Sequence, residues 1–387
     1  MDVTRRACLG GGICAVLTLA ARAGEAQVFS LEAGPLGFNG ATPGPLLRLP
    51  AGQVGKLRFV NRLDRPTSLA LPGLRIDSGF AGLTDRQVNP GETREIDIPG
   101  AEPGFHLYTS ERLFGPVLID EAAPPAVDLD AFVVFSGSDP ATLRANADPA
   151  PLTLHAPPRG RVRLRLANAS PDLVLTLRGE GAALQIVAID GQPSEMFEPR
   201  GGEFPIAPSA RFELMFDLPD GSVNFTLRGD PDRPALKILA QGEKVAAKPP
   251  IAALPANPRL PVEIALEKAL RATVSLTAAG AGFAVNGASG APWVAKPLFK
   301  AARGQPVALT LVNQTTQAQT LRLEGHVARQ LHALDDGWDP YWRDALLIGP
   351  GKTLHAAFVA DIPGKWPLAS ASPERRAKGL AAWYWVT

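Results

Sequence analysis

Histidine, cysteine and serine are the residue types with which this chain could bind a metal or attack a substrate, but their spacing supports neither chemistry. The five histidines stand apart from one another, at His106, His155, His326, His332 and His355. Both cysteines, Cys8 and Cys14, lie near the N-terminus. No G-x-S-x-G elbow, phosphate-binding loop or H-E-x-x-H pattern occurs, and Ser370 has no neighbouring histidine to act as its base. These residues therefore predict neither a nucleophile nor a metal centre.

The overall charge excludes two classes of partner. The 387 residues carry 39 Lys plus Arg and 38 Asp plus Glu, a net charge of +1. Such a charge offers no general attraction to nucleic acid or to an anionic membrane surface, so neither is predicted as a partner. An apolar content of 45% is ample for hydrophobic cores, and a chain of this length suits two or three domains.

The N-terminus has the pattern of an export signal. Arg5-Arg6 precedes a moderately apolar, glycine-rich run, and small residues follow it. This order is typical of twin-arginine signals, although a general secretory signal with a chance arginine pair has the same layout. We expect residues 1–26 to be a twin-arginine-type signal, cleaved after Ala23 or Ala26, that exports the protein to the periplasm. The mature chain would then contain no cysteine and no transmembrane segment, which excludes disulfides and Cys-ligated metals.

One strand pattern occurs three times after this signal. Each copy alternates apolar residues with others and ends on an asparagine, at Asn61, Asn168 and Asn313. Alternation with a period of two predicts a half-buried strand. We expect each asparagine to be present because this residue tolerates the tight turn that ends a strand.

A turn and a second alternating strand follow each copy at a similar distance. The turns lie at residues 89–92, 207–210 and 349–352. The same order in three segments predicts three copies of one β-sandwich module, the alternative being chance similarity among the strands of a β protein.

Composition sets the borders of these modules. Prolines and alanines separate the first copy from the second near residues 122–125, and the proline-rich residues 244–261 predict an extended linker. The predicted domains are residues 27–123, 127–243 and 262–387.

Several segments of the chain resemble the multicopper oxidase family. Gly37–Pro45 is similar to the opening of the family's first cupredoxin domain, and the segments around Asp77 and at Phe114–Ile119 keep its spacing. In the third module, residues 334–344 and 360–366 match closely. The resemblance covers nearly all of the mature chain. It implies an all-β fold of three tandem cupredoxin-like Greek-key β-sandwich domains in the multicopper oxidase arrangement.

The resemblance also locates the family's four copper-ligand motifs, at residues 67–73, 104–111, 319–326 and 366–375. None of them keeps its ligands. The trinuclear copper positions are implied to be Ala70, Pro72, Thr109, Glu111, Arg322, Glu324, Ala369 and Ala371. The mononuclear copper positions are implied to be Gln319, Ser370, Arg375 and Leu380.

These replacements do not suit copper. A copper–thiolate centre requires a thiolate, and the cluster requires neutral imidazoles. Arg322 is instead a fixed cation that would repel the metal. The remaining histidines do not rebuild a site, because His106 lies three residues ahead of a ligand position and His326 matches a histidine that is not a ligand in the family. We therefore predict no copper, no other cofactor and no catalytic residue.

Three of the replacements carry charge. We hypothesise that Glu111, Arg322 and Glu324 form a carboxylate–guanidinium–carboxylate cluster between the first and third domains; the alternative is that each side chain points into solvent-filled space. The acidic, aromatic-rich residues 335–342 also occur in the family, where they imply a structural loop, with contact to a partner as the alternative.

The predicted function is that of a copper-free, non-catalytic member of the family that binds or stabilises a protein partner in the periplasm. Members of this kind support cell division under envelope stress, which is the process that the resemblance implies. Two alternatives stay open. One is a copper-binding oxidase, and the other is a periplasmic small-molecule binder with a closed, apolar-walled pocket near Ala70, Ala369 and Ala371.

Overall fold

The computed structural model describes residues 27–76, 87–289, 296–331 and 337–387. Four features predicted from the sequence lie outside these residues: the export signal with both cysteines, the family-like segment around Asp77, His332, and the start of the acidic loop at residues 335–336.

Strands dominate the described residues and form six sheets, which fall into three consecutive pairs. The first pair contains β1 (Val28–Gly34), β2 (Gly37–Phe38), β3 (Leu47–Leu49), β4 (Val54–Asn61), β5 (Thr93–Pro99), β6 (Gly104–Ser110) and β7 (Leu113–Ile119). Its sheets have the strand orders β2-β1-β4-β5 and β3-β7-β6.

The second pair of sheets lies between residues 129 and 240. Its strands are β8 (Leu129–Ser136), β9 (Arg144–Ala145), β10 (Asp148–Pro149), β11 (Leu152–Ala156), β12 (Arg161–Asn168), β13 (Leu175–Glu180), β14 (Gln185–Ile189), β15 (Gln192–Phe197), β16 (Glu203–Ile206), β17 (Arg211–Asp217), β18 (Ser222–Leu227) and β19 (Arg233–Ala240). They are ordered β10-β9-β8-β12-β17-β14-β15 and β11-β19-β18-β13-β16.

The third pair of sheets extends to the C-terminus. Its strands are β20 (Leu270–Ala279), β21 (Gly282–Val285), β22 (Lys300–Ala301), β23 (Gln305–Asn313), β24 (Gln319–Leu323), β25 (Ala328–Leu331), β26 (Trp338–Arg343), β27 (Ala345–Ile348), β28 (Thr353–Ala360), β29 (Gly364–Ser370) and β30 (Ala381–Val386). They are ordered β21-β20-β23-β28-β25-β26 and β22-β30-β29-β24-β27. Helical structure in the described residues is limited to 3-10 turns at Pro140–Thr142, Arg200–Gly202 and Leu266–Lys268 and to α1 (Pro373–Ala377).

The three pairs of sheets repeat one topology. The strand that ends on the repeated asparagine runs parallel to the first strand of its module, in the pairs β4–β1, β12–β8 and β23–β20. It then pairs antiparallel with β5, β17 or β28, the strands that follow the predicted turns. In the facing sheets, β3–β7, β11–β19 and β22–β30 are the matching parallel pairs. This repetition confirms the predicted cupredoxin-like β-sandwiches.

The repeated asparagines have a different role from the one expected. Asn168 is fully buried and lies outside the left-handed region of backbone conformation. Its Nδ2 donates to the carbonyl oxygens of Leu173 (2.7 Å) and Ile206 (2.9 Å), and its Oδ1 accepts from the Ser170 amide (2.9 Å). Asn61 and Asn313 make the same three kinds of bond, although their nearby carbonyl partners, Arg65 and Gln317, lie four residues later instead of five. The asparagine is therefore required for the hydrogen bonds of its side chain, which tie the end of one strand to the segment before the next turn.

Strand β12 also departs from the expected half-buried pattern, because both of its faces are covered. Leu164 and Leu166 face the sandwich core, whereas Arg163 and Arg165 lie on the opposite face and are still only 2–3% exposed. Both arginines contact the buried carboxylate of Glu213, with Arg163 Nη2 at 2.7 Å and Arg165 Nε at 3.2 Å. Burial of these charges is tolerated because each has a charged partner.

The sandwiches are packed against one another and the linker follows their surface. One continuous cluster of buried apolar residues runs through the first and third sandwiches, and the second has its own core. Residues 244–261, all of which are described, contain no strand or helix. In this linker Asn257 Nδ2 donates to Glu102 of the first sandwich and to Gln192 of the second, both at 2.9 Å. The described part of the chain has no helix with the length and apolar character needed to cross a bilayer.

Candidate functional site

The first two ligand motifs of the sequence analysis lie side by side in the first sandwich. The amide of Ala70 donates to the carbonyl oxygen of Thr109, and the amide of Thr109 donates to that of Ala70, both at 2.8 Å. Thr109 lies in β6 and is half-buried. Ala70 and Pro72 are buried, and the segment that contains them runs antiparallel to β6 at Thr109. The structure thus brings Ala70 and Thr109 into direct backbone contact.

The positions predicted in the third sandwich lie opposite this pair. Arg322 in β24 is the register partner of Ala369 in β29, and Glu324 immediately follows β24. Arg322 Nη1 donates across the interface to Thr109 Oγ1 at 3.4 Å. The predicted trinuclear positions from the first and third sandwiches are therefore neighbours in space.

The hypothesised three-residue cluster is only partly correct. Arg322 and Glu324 do form an ion pair, with Nη2 and Oε1 2.5 Å apart, and are only 4% and 9% exposed. Glu111, however, lies in the turn after β6 with a φ of +51°, and its side chain is 39% exposed. It pairs instead with Arg65 of its own sandwich at 2.6 Å, because the turn directs the carboxylate toward solvent. The buried arrangement is therefore an Arg322–Glu324 pair in contact with Thr109.

The four predicted mononuclear positions also converge, and two of them, Gln319 and Arg375, are joined by a hydrogen bond between their side chains. Arg375 Nη1 donates to Oε1 of the fully buried Gln319 at 2.7 Å. The amide of Ser370 donates to the Leu380 carbonyl oxygen, and the amide of Leu380 donates to the Arg375 carbonyl oxygen, each at 2.9 Å. Arg375 Nε further contacts Asp172 of the second sandwich at 2.6 Å. A cation linking two sandwiches therefore lies where the resemblance places a copper ligand.

A cleft of about 270 Å³ opens where the three sandwiches meet. Thr109, Glu111, Arg322 and Ala371 line it, so it coincides with part of the predicted trinuclear region. Ala70 and Ala369 are 7% and 1% exposed and are not among its lining residues. The third alanine near which the small-molecule alternative expects a closed, apolar-walled pocket, Ala371, does line this cleft, but so do the charged side chains of Glu111, Arg112 and Arg322. This cleft is therefore not the apolar-walled pocket that the alternative expects.

Two histidines are buried and neutral. Burial, reinforced by the charge of Arg211, lowers the pKa of His106 to about 3. Burial and the charge of Arg75 likewise lower the pKa of His326 to about 3. His326 Nδ1 is 2.8 Å from the Tyr384 hydroxyl, which donates to the Glu324 carbonyl oxygen, and His326 Nε2 accepts from the Ile362 amide. These partners fix the tautomer with the proton on Nδ1.

The other two described histidines are exposed. His155 and His355 lie on surface strands, and His355 Nδ1 is 3.1 Å from the Thr310 hydroxyl. Their strands, β11 and β28, belong to sheets that contribute no strand residue to the lining of the cleft.

The side chains at the family's copper positions do not fit copper. Copper in proteins is held by thiolate, thioether and imidazole ligands. Here the donors that face each other are guanidinium, amide, hydroxyl and carboxylate groups, and Arg322 and Arg375 place fixed positive charges among them. Within the described residues, no three His, Cys, Asp or Glu side chains form a group that could hold a metal ion.

A buried ion pair between the second and third sandwiches was missed by the sequence analysis. Arg211 is fully buried, and its Nη1 donates to Asp344 Oδ1 at 2.7 Å. Asp190 accepts from the Arg211 amide and, through its other oxygen, from the amides of Asp344 and Ala345. The available signal was a charged residue, Asp344, directly before a strand in which every position is apolar, β27. Sequence alone, however, does not show that another sandwich covers that strand.

Two family models match the chain and together cover more than half of it. Residues 25–120 and residues 258–387 each match a model described as multicopper oxidase. Among curated proteins, the chain is 29% identical over 227 residues to the cell division protein FtsP of Yersinia pestis, covering 48% of this chain and 47% of that protein. It is 25% identical over 240 residues to the multicopper oxidase mco of Staphylococcus aureus, covering 52% and 53%. The chain thus spans about half the length of the curated relatives it matches.

Solved structures show the same fold over a greater length. The chain superposes on a multicopper oxidase from Pseudomonas thermotolerans with a TM-score of 0.81 and 23% identity, covering 94% of this chain and 100% of the other. It superposes on Lac15 from a marine microbial metagenome with a TM-score of 0.76 and 27% identity, with the same coverage. The two matched models, the FtsP relatives and the shared fold show that this chain belongs to the multicopper oxidase family, as a multicopper-oxidase-like protein that resembles FtsP.

Proposed function

We propose that the protein is a copper-free, non-catalytic member of its family that acts in the periplasm as a binding or stabilising scaffold. The observation that carries this proposal is the hydrogen bond between Arg375 and Gln319, two residues at predicted copper-ligand positions. In this role both positions stabilise the contact between sandwiches, since Arg375 also pairs with Asp172.

The process in which the scaffold acts is proposed from its relatives. Several of the curated relatives are named cell division protein FtsP, including those of Yersinia pestis and Proteus mirabilis. By analogy, the protein binds a protein partner of the division or envelope-stress machinery. Export by a twin-arginine signal suits this location, because that route carries folded proteins and the three sandwiches form extensive contacts with one another.

A copper-loading experiment tests the non-catalytic part of the proposal. The protein purified from the periplasm is incubated with Cu(I) and with Cu(II), desalted, and assayed for bound copper and for oxidation of a phenolic dye. We expect well under one copper per chain and no turnover. Stoichiometric copper with turnover would restore the alternative of a multicopper oxidase, the activity named for the Staphylococcus aureus relative.

A capture experiment tests the scaffold part. The tagged chain is crosslinked in intact cells and its partners are identified. A variant carrying Arg375→Ala and Asp172→Ala, which loosens the contact between the second and third sandwiches, is the matched comparison. The proposal expects a division or envelope protein that is captured by the parent chain and lost or reduced with the variant. Failure to enrich any envelope protein over an unrelated exported protein would contradict it.

A further inference from the structure

Two buried carboxyl groups face a single guanidinium group where the second and third sandwiches meet. Arg211 begins β17 and is fully buried, and its Nη1 donates to Asp344 Oδ1 at 2.7 Å. Asp190 Oδ1 lies 3.7 Å from the same nitrogen, and Asp190 and Asp344 are 0% and 2% exposed. If both carboxyl groups were ionised, the three side chains would have one negative charge in excess, which is costly in a buried place. With one proton bound, they are neutral overall.

The hydrogen bonds of the two carboxyl groups indicate which of them holds the proton. Asp190 accepts from three backbone amides, that of Arg211 at 2.9 Å and those of Asp344 and Ala345 at 3.0 Å. Bonds of this kind favour the ionised form of a carboxyl group. Burial raises the pKa of Asp344 to about 7, and its carboxyl group interacts directly with that of Asp190. The proton therefore lies on Asp344, which accepts from Arg211 through Oδ1 and can donate to Asp190.

The neighbouring elements place no second positive charge beside Asp344 in the described part of the chain. From the first sandwich, His106 faces Arg211 and is neutral, because burial and the charge of Arg211 lower its pKa to about 3. In the adjacent strand β24, the guanidinium group of Arg322 is bound to Glu324 instead. A negative charge that appears on Asp344 is therefore balanced only in part, by a guanidinium group that it shares with a second carboxylate.

Close packing prevents the cluster from adapting to this charge. A Cβ atom at Gly73 would lie 2.0 Å from Arg211 Nη2, and one at Gly191 would lie 2.3 Å from His106 Cε1. Both contacts leave no room for a further side chain to move in. Relief of an excess charge therefore requires the contact between the sandwiches to open.

We infer that Asp190, Arg211 and Asp344 form a proton-dependent latch between the second and third sandwiches, closed while Asp344 holds a proton and loosened when that proton is lost. The latch joins the turn after β14 to the residue between β26 and β27, and the next residue, Ala345, is buried in the core of the second sandwich. On opening, Asp344 regains the ordinary pKa of a solvated aspartate. Opening therefore becomes about tenfold more favourable for each pH unit between about 4 and 7 and then levels off. The inference goes beyond the proposed scaffold role and does not require it.

Infrared spectroscopy of the full chain tests whether the cluster holds the proton. Spectra are recorded between about pH 5.5 and about pH 8.5, where ordinary carboxyl groups are ionised. We expect the C=O band of a protonated carboxylic acid, which disappears with a midpoint near pH 7. Asp344→Asn should lack this band. Asp217→Asn is the matched control and should keep it, because Asp217 pairs with Arg161 and its side chain is 47% exposed. A parent spectrum without the band, or a band that persists in Asp344→Asn, would overturn the inference.

Hydrogen exchange tests whether this proton controls the contact. The amides of residues 344 and 345 donate across the contact to Asp190, so their protection, corrected for the intrinsic pH dependence of exchange, measures opening. In the parent chain and in Asp217→Asn, we expect this protection to fall about tenfold for each pH unit up to about pH 7. Asp344→Asn, whose side-chain amide mimics the protonated acid, should remain protected throughout. The same pH dependence in Asp344→Asn and in the parent would contradict the latch. Bound copper is a separate property, so this inference and the proposed function fail independently.

Discussion

Arg375 Nη1 lies 2.7 Å from Gln319 Oε1, so two residues at predicted copper-ligand positions satisfy each other's hydrogen-bonding needs. The same guanidinium group contacts the Ala318 carbonyl oxygen at 2.7 Å and Asp172 at 2.6 Å. Gln319 in turn donates from Nε2 to the Thr315 hydroxyl at 2.9 Å. The site has thus become a polar contact between strands and between sandwiches, in which each replacement is bound to another part of the fold.

Restoring the ligands should restore a metal site if these positions are the former mononuclear centre. We expect the triple variant Gln319→His, Ser370→Cys, Arg375→His to bind about one copper per chain and to show the intense blue colour of a copper–thiolate centre, because two imidazoles and a thiolate then converge. Bound copper and the visible spectrum are measured after desalting. Ser370→Cys alone is the control and should remain colourless, since Arg375 and Gln319 still occupy the site. A colourless, copper-free triple variant that keeps its fold would contradict the assignment of these positions.

The Arg322–Glu324 pair should be important for stability, whereas the Glu111–Arg65 pair should not. Arg322→Ala removes the arginine partner of a carboxylate that is 9% exposed, and we expect a loss of about 3–5 kcal/mol in the free energy of unfolding. Glu111→Ala breaks an ion pair on the surface, where water screens both charges, and should change stability little. Denaturant-induced unfolding of both variants gives the comparison. Equal effects would show that the two pairs are equivalent, contrary to their burial.

The sequence allowed the three-fold repeat to be predicted, because alternation and turn residues are local signals. The turns at residues 89–92, 207–210 and 349–352 lead into β5, β17 and β28 as expected. The convergence of the copper positions followed from the resemblance to a family and not from local pattern. The partner of Glu111 could not be predicted, because it depends on the left-handed turn at that residue, which directs the carboxylate toward Arg65.

The burial of charged residues between sandwiches could not be predicted from the local sequence pattern either. The charged positions of β12 alternate with apolar ones, which predicts exposure of the arginines, yet Arg163 and Arg165 are covered and share Glu213. The same is true of Arg211 and Asp344, which belong to different sandwiches and are 133 residues apart in the sequence. Such contacts depend on how the modules dock, and the alternation of a single strand contains no information about docking.

The repeated asparagines should be among the most sensitive polar positions in each sandwich. Asn168→Ala removes partners from the carbonyl oxygens of Leu173 and Ile206 and from the Ser170 amide. Because buried backbone groups left without partners cost about 1–3 kcal/mol each, we expect a loss of at least about 2 kcal/mol in the free energy of unfolding. Asn224→Ala, in which one exposed bond of 3.3 Å to Ser222 is lost, is the matched control and should be nearly neutral. Similar losses for both would refute a special role for the buried side chain.

The buried histidines predict uptake of protons when the protein unfolds in mild acid. His326 has a folded pKa of about 3, well below the value near 6.5 of an unfolded histidine, so between these pH values the unfolded state holds one proton more. His106 contributes in the same sense, with a folded pKa of about 3. The stability that these neutral rings provide is fully present above about pH 6.5 and decreases by about 1.4 kcal/mol per pH unit for each histidine as the pH falls. Asp344 acts in the opposite sense, because burial raises its pKa to about 7.

A difference between variants separates the contribution of His326 from these other groups. We expect His326→Gln to take up about one proton fewer than the parent chain on unfolding at pH 5. Proton uptake is measured as the amount of acid needed to hold the pH of a weakly buffered guanidinium chloride solution constant while the protein unfolds. Phe358→Leu is the control, because Phe358 packs 5.1 Å from the His326 ring and its truncation weakens the same cluster without removing a titrating group. The control should take up as many protons as the parent. Equal uptake by His326→Gln and the parent would mean that His326 is already protonated in the folded protein, which its hydrogen bond from the Ile362 amide to Nε2 does not permit.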